Sequence, residues 1–235
     1  MTEIINIGGS MVNNFIIKND KGIIIVDSGY PNGFPTFKKR FEKLGYKASD
    51  IKFLFLTHCH DDHTGFLKEL MEYTNAPLIL HPVAVERLRA GMNGHTHGAS
   101  YKLMQFICRT FIKEKYFPAV DNPSRYLIFD GAKQYLIDAG MEGTIINLPG
   151  HTADSIGINL NDGRILCGDV VMNMPIAIKN YPLVLENLEE LQKSWDYLIN
   201  NGKIIVTSHG KPVSVQKLIK NRHYMDNKNI LKVYK

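Results

Sequence analysis

No apolar run in this chain of 235 residues approaches the ~20 residues that a helix needs to cross a bilayer, so no helical membrane span is expected. The amino terminus, Met1-Thr2-Glu3-Ile4-Ile5-Asn6, has neither a basic start nor a long apolar core. A secretory signal is therefore not expected, and the cytoplasm is the expected compartment. Cysteine is scarce: Cys59, Cys108 and Cys167 are odd in number and far apart, which gives no disulfide framework. Blocks of like charge are also missing, because the net charge is only +5 and Lys and Arg are scattered among Asp and Glu. Nucleic acid is thus not an expected partner. What remains is 44% hydrophobic and 22% charged, the balance of a soluble globular protein long enough to bury a substantial core.

The chain is organised around residues 57 to 65, Thr-His-Cys-His-Asp-Asp-His-Thr-Gly, where His58, His60, Asp62 and His63 form a His-x-His-x-Asp-His run. Before it lies Ile51 to Leu56, an apolar, aromatic-rich segment of the kind that forms a strand buried on both faces. After it, Phe66 to Glu72 carries apolar residues at helical spacing. The run therefore falls on a turn at the carboxyl end of a buried strand, where open α/β folds place ligands. In extended backbone, residues two apart project to one side, so His58 and His60 can converge on one ion. Asp62 and His63 follow as the chain bends into the helix, which makes a second ion possible. Imidazole with carboxylate suits zinc, iron or manganese and does not choose among them. Cys59, set between two of these histidines, is turned away by the alternation and is expected to pack.

Along the chain, strands are expected at Ile4 to Ile7, Asn14 to Lys18 and Ile23 to Val26, with a tight hairpin at Asn19-Asp20-Lys21-Gly22. Asp27 ends the third of these and reads either as a turn residue or as a carboxylate that orients a metal ligand from behind. A helix over Phe34 to Leu44 is ended by Gly45, and a short strand is expected over Pro77 to Leu80. This alternation is α/β. Residues 83–117 break it as a helical insertion rich in large apolar side chains, among them Tyr101 and Met104. Packing on the core or on a second copy in a homodimer explains such a segment; a lid lining an apolar substrate pocket is the alternative. Strands then return over Arg125 to Phe129, Lys133 to Ile137, Gly143 to Leu148, Ser155 to Leu160 and Arg164 to Cys167, the last two joined by the hairpin signal Asn161-Asp162-Gly163. A helix over Leu188 to Leu198, a strand over Lys203 to Val206 and a helix over Val213 to Lys220 complete a second half that repeats the first. Residues 1–235 read as one domain of two similar halves.

Three more positions share the context of the central run, each following an apolar strand beside a glycine: His151 after Leu148-Pro149-Gly150, Asp169 after Leu166-Cys167-Gly168, and His209 after Val206-Thr207-Ser208. With Asp27 and the central run, these residues match in order the five motifs of the metallo-β-lactamase superfamily, which the chain resembles over nearly its whole length. The resemblance implies an αβ/βα four-layer sandwich. It implies that His58, His60 and His151 hold one divalent ion, that Asp62, His63 and His209 hold a second, and that Asp169 bridges them, with zinc the expected metal and iron or manganese the alternatives. The full set is unlike zinc β-lactamases proper and unlike diiron flavoproteins, and resembles the glyoxalase II, lactonase and phosphodiesterase branches.

Two such ions about 3.5–4 Å apart can share a water and bring its pKa toward ~7, which leads to a hydrolase using a bridging hydroxide, with Asp62 or Asp169 relaying the proton. The apolar insertion, Met172 and Tyr181 suggest a small-molecule substrate with an apolar part, hence a lactone or thioester. Lys179-Asn180-Tyr181 is similar to the Lys-x-Tyr pair that helps hold glutathione in glyoxalase II, and Met172 stands where acyl-homoserine lactonases carry tyrosine. A phosphodiesterase, or a metal-containing binding protein without catalysis, is the competing reading. His95 and His97 in the insertion, His81 and His223 are expected in capping, packing or surface roles.

Overall fold

A computed structural model describes residues 2–93, 117–132, 134–137 and 140–226. They fall into two compact units, residues 2–93 with 117–145 and residues 146–226.

The first unit is built on a six-stranded mixed sheet in which neighbours in space are neighbours in sequence. Its strands are β1 (Glu3–Asn6), β2 (Phe15–Asn19), β3 (Gly22–Val26), β4 (Ile51–Phe55), β5 (Leu78–Leu80) and β6 (Tyr126–Ile128). The hairpin falls where the turn chemistry puts it: Asn19 pairs with Gly22, and the Asn19 side chain accepts from the N–H groups of Lys21 and Gly22. From β3 onward the pairing is parallel, so the carboxyl ends of β3, β4 and β5 lie along one edge of the sheet. Asp27 follows β3 and the histidine run follows β4, so topology alone brings them to that edge.

Helix Phe34–Lys43 buries Phe37 and Phe41, helix Leu67–Tyr73 buries Leu67, Leu70 and Met71, and both join Ile23, Ile25, Leu54 and Leu56 in one core. Leu44, which the periodicity placed on the same face, is instead 47% exposed at the helix end. Helix Pro82–Ala90 opens the segment expected as an insertion and ends at Gly91, whose φ of +65° favours glycine. Phe117 and Val120 return the chain to this core. Residues 94–116, including Tyr101, Met104, His95, His97 and Cys108, lie outside the described residues.

One expected strand is corrected. Gln134 to Ile137 form a turn, in which Tyr135 and Leu136 are both buried while Ile137 is 70% exposed, a pattern no strand alternation can produce. The side-chain amide of Gln134 takes the place of a backbone ladder, accepting from the N–H of Ile145 at 2.7 Å and donating to its carbonyl at 3.3 Å.

The second five-stranded sheet has the order β11-β10-β9-β8-β7, from β7 (Gly143–Asn147), β8 (Ile156–Leu160), β9 (Arg164–Leu166), β10 (Ile204–Val206) and β11 (Val213–Ser214). The Asn-Asp-Gly hairpin joins β8 to β9, with Gly163 at φ +90°. Strands β9 and β10 run parallel, so Asp169 and His209 leave the same edge. Helix Leu188–Asn201 is capped by Asn187, whose side chain accepts from Glu190 N–H, and buries Leu191, Trp195 and Leu198. Helix Val215–Arg222 packs Leu218 into the same core. Among the described residues, no helix is long and apolar enough to cross a membrane.

Candidate metal centre

In the first unit, the chain leaves β4 through Thr57 and His58 and enters the short helix Asp61–Thr64 behind His60. His58, His60 and His63 are almost wholly buried, and the Asp62 side chain is 15% exposed. His58 Nε2 and His60 Nδ1 stand 3.1 Å apart, and His63 Nε2 lies 3.6 Å from Asp62 Oδ1. Two nitrogens held at about 2.0–2.1 Å by one tetrahedral ion are roughly 3.3 Å apart, so the first spacing is that of two ligands of one ion. Cys59 has no accessible surface and its sulfur meets the carbonyl of Ala84 at 3.6 Å, so it packs as the alternation required.

Behind these ligands lies Asp27, a buried aspartate with φ +60°, a backbone region that few residues other than glycine visit. Its Oδ1 accepts from the N–H of Thr57 and its Oδ2 from the Thr57 hydroxyl, both at 2.8 Å, while His63 Nδ1 lies 2.9 Å from Oδ2. Asp27 therefore holds the far side of His63. A carboxylate at Nδ1 keeps the proton there and leaves Nε2 as the ring's electron-pair donor. Ser28 adds a constraint that sequence reasoning missed, since its N–H and its hydroxyl both donate to the carbonyl of His63, at 2.8 and 2.9 Å. The Asp-Ser-Gly triplet at the end of β3 was the available signal.

In the second unit, one oxygen serves two histidines. Asp169 Oδ2 lies 3.2 Å from His209 Nε2 and 3.8 Å from His151 Nε2, with all three residues buried. His151 Nδ1 donates to the carbonyl of Val184 at 2.7 Å. Because a carbonyl only accepts, the neutral ring presents its Nε2 electron pair on the Asp169 side. Each unit thus carries a buried His/Asp cluster whose donor spacings and ring orientations suit a divalent ion.

A model of the metallo-β-lactamase superfamily matches residues 7–209, the greater part of the chain and every motif from Asp27 to His209. The chain belongs to that superfamily. Its members are metal-dependent hydrolases, and its fold is an α/β sandwich of two mixed sheets flanked by helices. A probable metallo-hydrolase of Methanocaldococcus jannaschii is 30% identical over 164 residues, 69% of this chain and 68% of that protein. Another from Bacillus subtilis is 25% identical over 158 residues, 64% of this chain and 56% of its own length. A motif variant of the Cronobacter sakazakii metallo-β-lactamase matches with a TM-score of 0.69 at 18% identity, covering 97% of this chain and 94% of that one, a likeness of fold alone.

The substrate-contact candidates fare differently from the superfamily's ligand positions. Tyr181 is 2% exposed, packs on Trp195 at 5.2 Å between ring centroids and donates its hydroxyl to the carbonyl of Asn221 at 2.6 Å. It is a core residue rather than a pocket wall, because both its ring and its hydroxyl are engaged inside the fold. Lys179 lies over the ring of Tyr224, its Nζ 4.3 Å from the centroid, so it is drawn toward the turn His223–Asp226 that follows helix Val215–Arg222. Met172 is buried at 4% exposure. His81 caps helix Pro82–Ala90 by accepting from Val83 N–H, and His223 is exposed.

Proposed function

We propose that the protein is a dinuclear metallohydrolase cleaving an ester-type bond, a lactone or thioester, in a small molecule with an apolar part. In this reading His58, His60 and His151 hold one divalent ion, Asp62, His63 and His209 hold the other, and Asp169 joins both. The observation that carries it is the clustering of donors inside each unit: His58 Nε2 and His60 Nδ1 stand 3.1 Å apart in the first, and one oxygen of Asp169 lies 3.2 Å from His209 Nε2 and 3.8 Å from His151 Nε2 in the second. Asp169 faces both His151 and His209, as a bridging carboxylate has to. The two relatives named as probable metallo-hydrolases support the hydrolase part of this reading.

When bound, such ions supply Lewis acidity and lower the pKa of a water toward ~7, and zinc is the metal we assign, with iron and manganese as competitors. The chain contributes orientation and proton handling. Asp27 and Val184 fix the tautomers of His63 and His151, so those rings need no reorganisation to act as ligands. Asp62, the more exposed of the two carboxylates, and Asp169 are assigned to carry the proton toward the leaving group.

The test is a panel of chromogenic lactone, thioester and phosphodiester substrates offered to the metal-loaded protein. Turnover of a lactone or thioester, abolished in His60→Ala, is the expected result. Turnover of the phosphodiester alone would contradict the ester reading, and two bound ions with no turnover on any substrate would contradict catalysis.

A further inference from the structure

Thr57 is a positioning residue for one ion and not for the other, and we infer this from its single hydroxyl proton. The inference rests on the ligand assignment proposed above. Thr57 Oγ1 is 2.8 Å from Asp27 Oδ2 and 3.0 Å from His58 Nδ1. A carboxylate oxygen only accepts, so the hydroxyl proton goes to Asp27. The threonine oxygen is then the acceptor for His58, whose Nδ1 must carry the ring proton. That fixes His58 in the tautomer with an electron pair on Nε2, the nitrogen that stands 3.1 Å from His60 Nδ1.

Asp27 therefore reaches two histidines by different routes. It meets His63 directly at 2.9 Å and His58 through the Thr57 hydroxyl. All of these groups are at most 3% exposed, so water is poorly placed to replace a lost partner. Removing the Thr57 hydroxyl while keeping its shape leaves three things in place: the Thr57 N–H bond to Asp27 Oδ1, the His63 contact, and the fold around them. What it removes is one donor to Asp27 Oδ2, which keeps its His63 contact, and the acceptor that holds the His58 proton on Nδ1. The other tautomer, with the proton on Nε2, cannot ligate, and its population competes directly with metal binding.

The consequence is asymmetric. Thr57→Val weakens the ion held by His58 and His60 by about 10–100-fold, the range found when the outer partner of a metal-bound histidine is removed, and leaves the ion held by His63 unchanged. Thr57→Ser restores wild-type affinity. Asp27→Asn weakens both ions.

The experiment measures zinc bound per chain by the full-length wild type and these variants, across free-zinc concentrations fixed by a chelator buffer. The step belonging to His58 is identified as the one that His60→Ala removes. Unfolding midpoints of the zinc-free proteins show that the fold is kept, and Thr57→Ala serves if the valine variant does not fold. A selective loss of the His60-dependent step, rescued by serine, is expected. Both steps unchanged in Thr57→Val, or both weakened equally, would overturn the role of Thr57 while leaving the two-ion reading intact. A wild type with a single step would overturn the two-ion reading itself; Thr57 would then be judged on whether that step weakens in the valine variant and recovers in the serine one.

Discussion

Asp27 accepts an unfavourable backbone, φ +60°, in order to place both carboxylate oxygens against the loop that follows β4. Such strain persists only where neighbours hold it, and here the N–H of Asp27 donates to the carbonyl of Phe55 while Ser28 is fixed to His63. Cys59 and Cys167 show the opposite behaviour, lying beside these histidines and aspartates in sequence yet buried in the packing. Cys167, two residues before Asp169, is buried, and that burial together with the Asp169 charge pushes its thiol well above the usual range. Thiolate is the reactive form, so Cys167 is expected to remain unmodified by iodoacetamide in the native protein and to react once it is unfolded. Peptide mapping by mass spectrometry checks this. Modification of Cys167 under native conditions would contradict the burial.

At the scale of elements, helix Leu67–Tyr73 is tied down by a residue far from it in sequence. The Arg125 guanidinium donates to the carbonyls of Met71, Thr74 and Ala76, which the helix end and the following turn leave without ladder partners. Arg125→Met keeps the stem and removes three charged donors, and a loss of about 2–4 kcal/mol is expected in urea unfolding. The β8–β9 hairpin carries a weaker device. Hydrogen bonds from the Arg164 side chain and N–H hold the Asp162 carboxyl below the usual carboxylate range. A depressed pKa adds stability above the unfolded value of about 3.9 and loses it as pH falls through the folded value. At 46% side-chain exposure, screening keeps this below about 1 kcal/mol. Wild type and Asp162→Asn should therefore differ slightly in unfolding midpoint at pH 7 and draw together as pH falls below the usual carboxylate range; a gap that widens in acid would contradict the sign.

At the scale of the whole molecule, most of the strand positions and the strand-end placing of the His and Asp residues were legible in the sequence, for a physical reason. His58, His151, Asp169 and His209 each come shortly after an apolar strand, and parallel pairing carries the ends of β3 to β5 to one edge of the first sheet and the ends of β9 and β10 to one edge of the second. Turn signals were equally plain, because Asn-Asp-Lys-Gly and Asn-Asp-Gly act through local backbone chemistry. What sequence could not supply were roles decided by distant partners. Tyr181 resembled a substrate contact until Trp195 and Asn221 claimed its ring and hydroxyl, and Gln134 read as part of a strand although its amide replaces one. Thr57 was present in the central run, yet its two partners define it only when Asp27 folds back from 30 residues away.

The proposed hydrolysis requires two ions acting together, and titrating metal into the stripped protein while following hydrolysis tests this most directly. Ester cleavage is expected to be absent without metal and to rise until two equivalents of zinc are bound per chain. Full activity at a single equivalent, or undiminished activity in protein that elemental analysis shows to be metal-free, would contradict it.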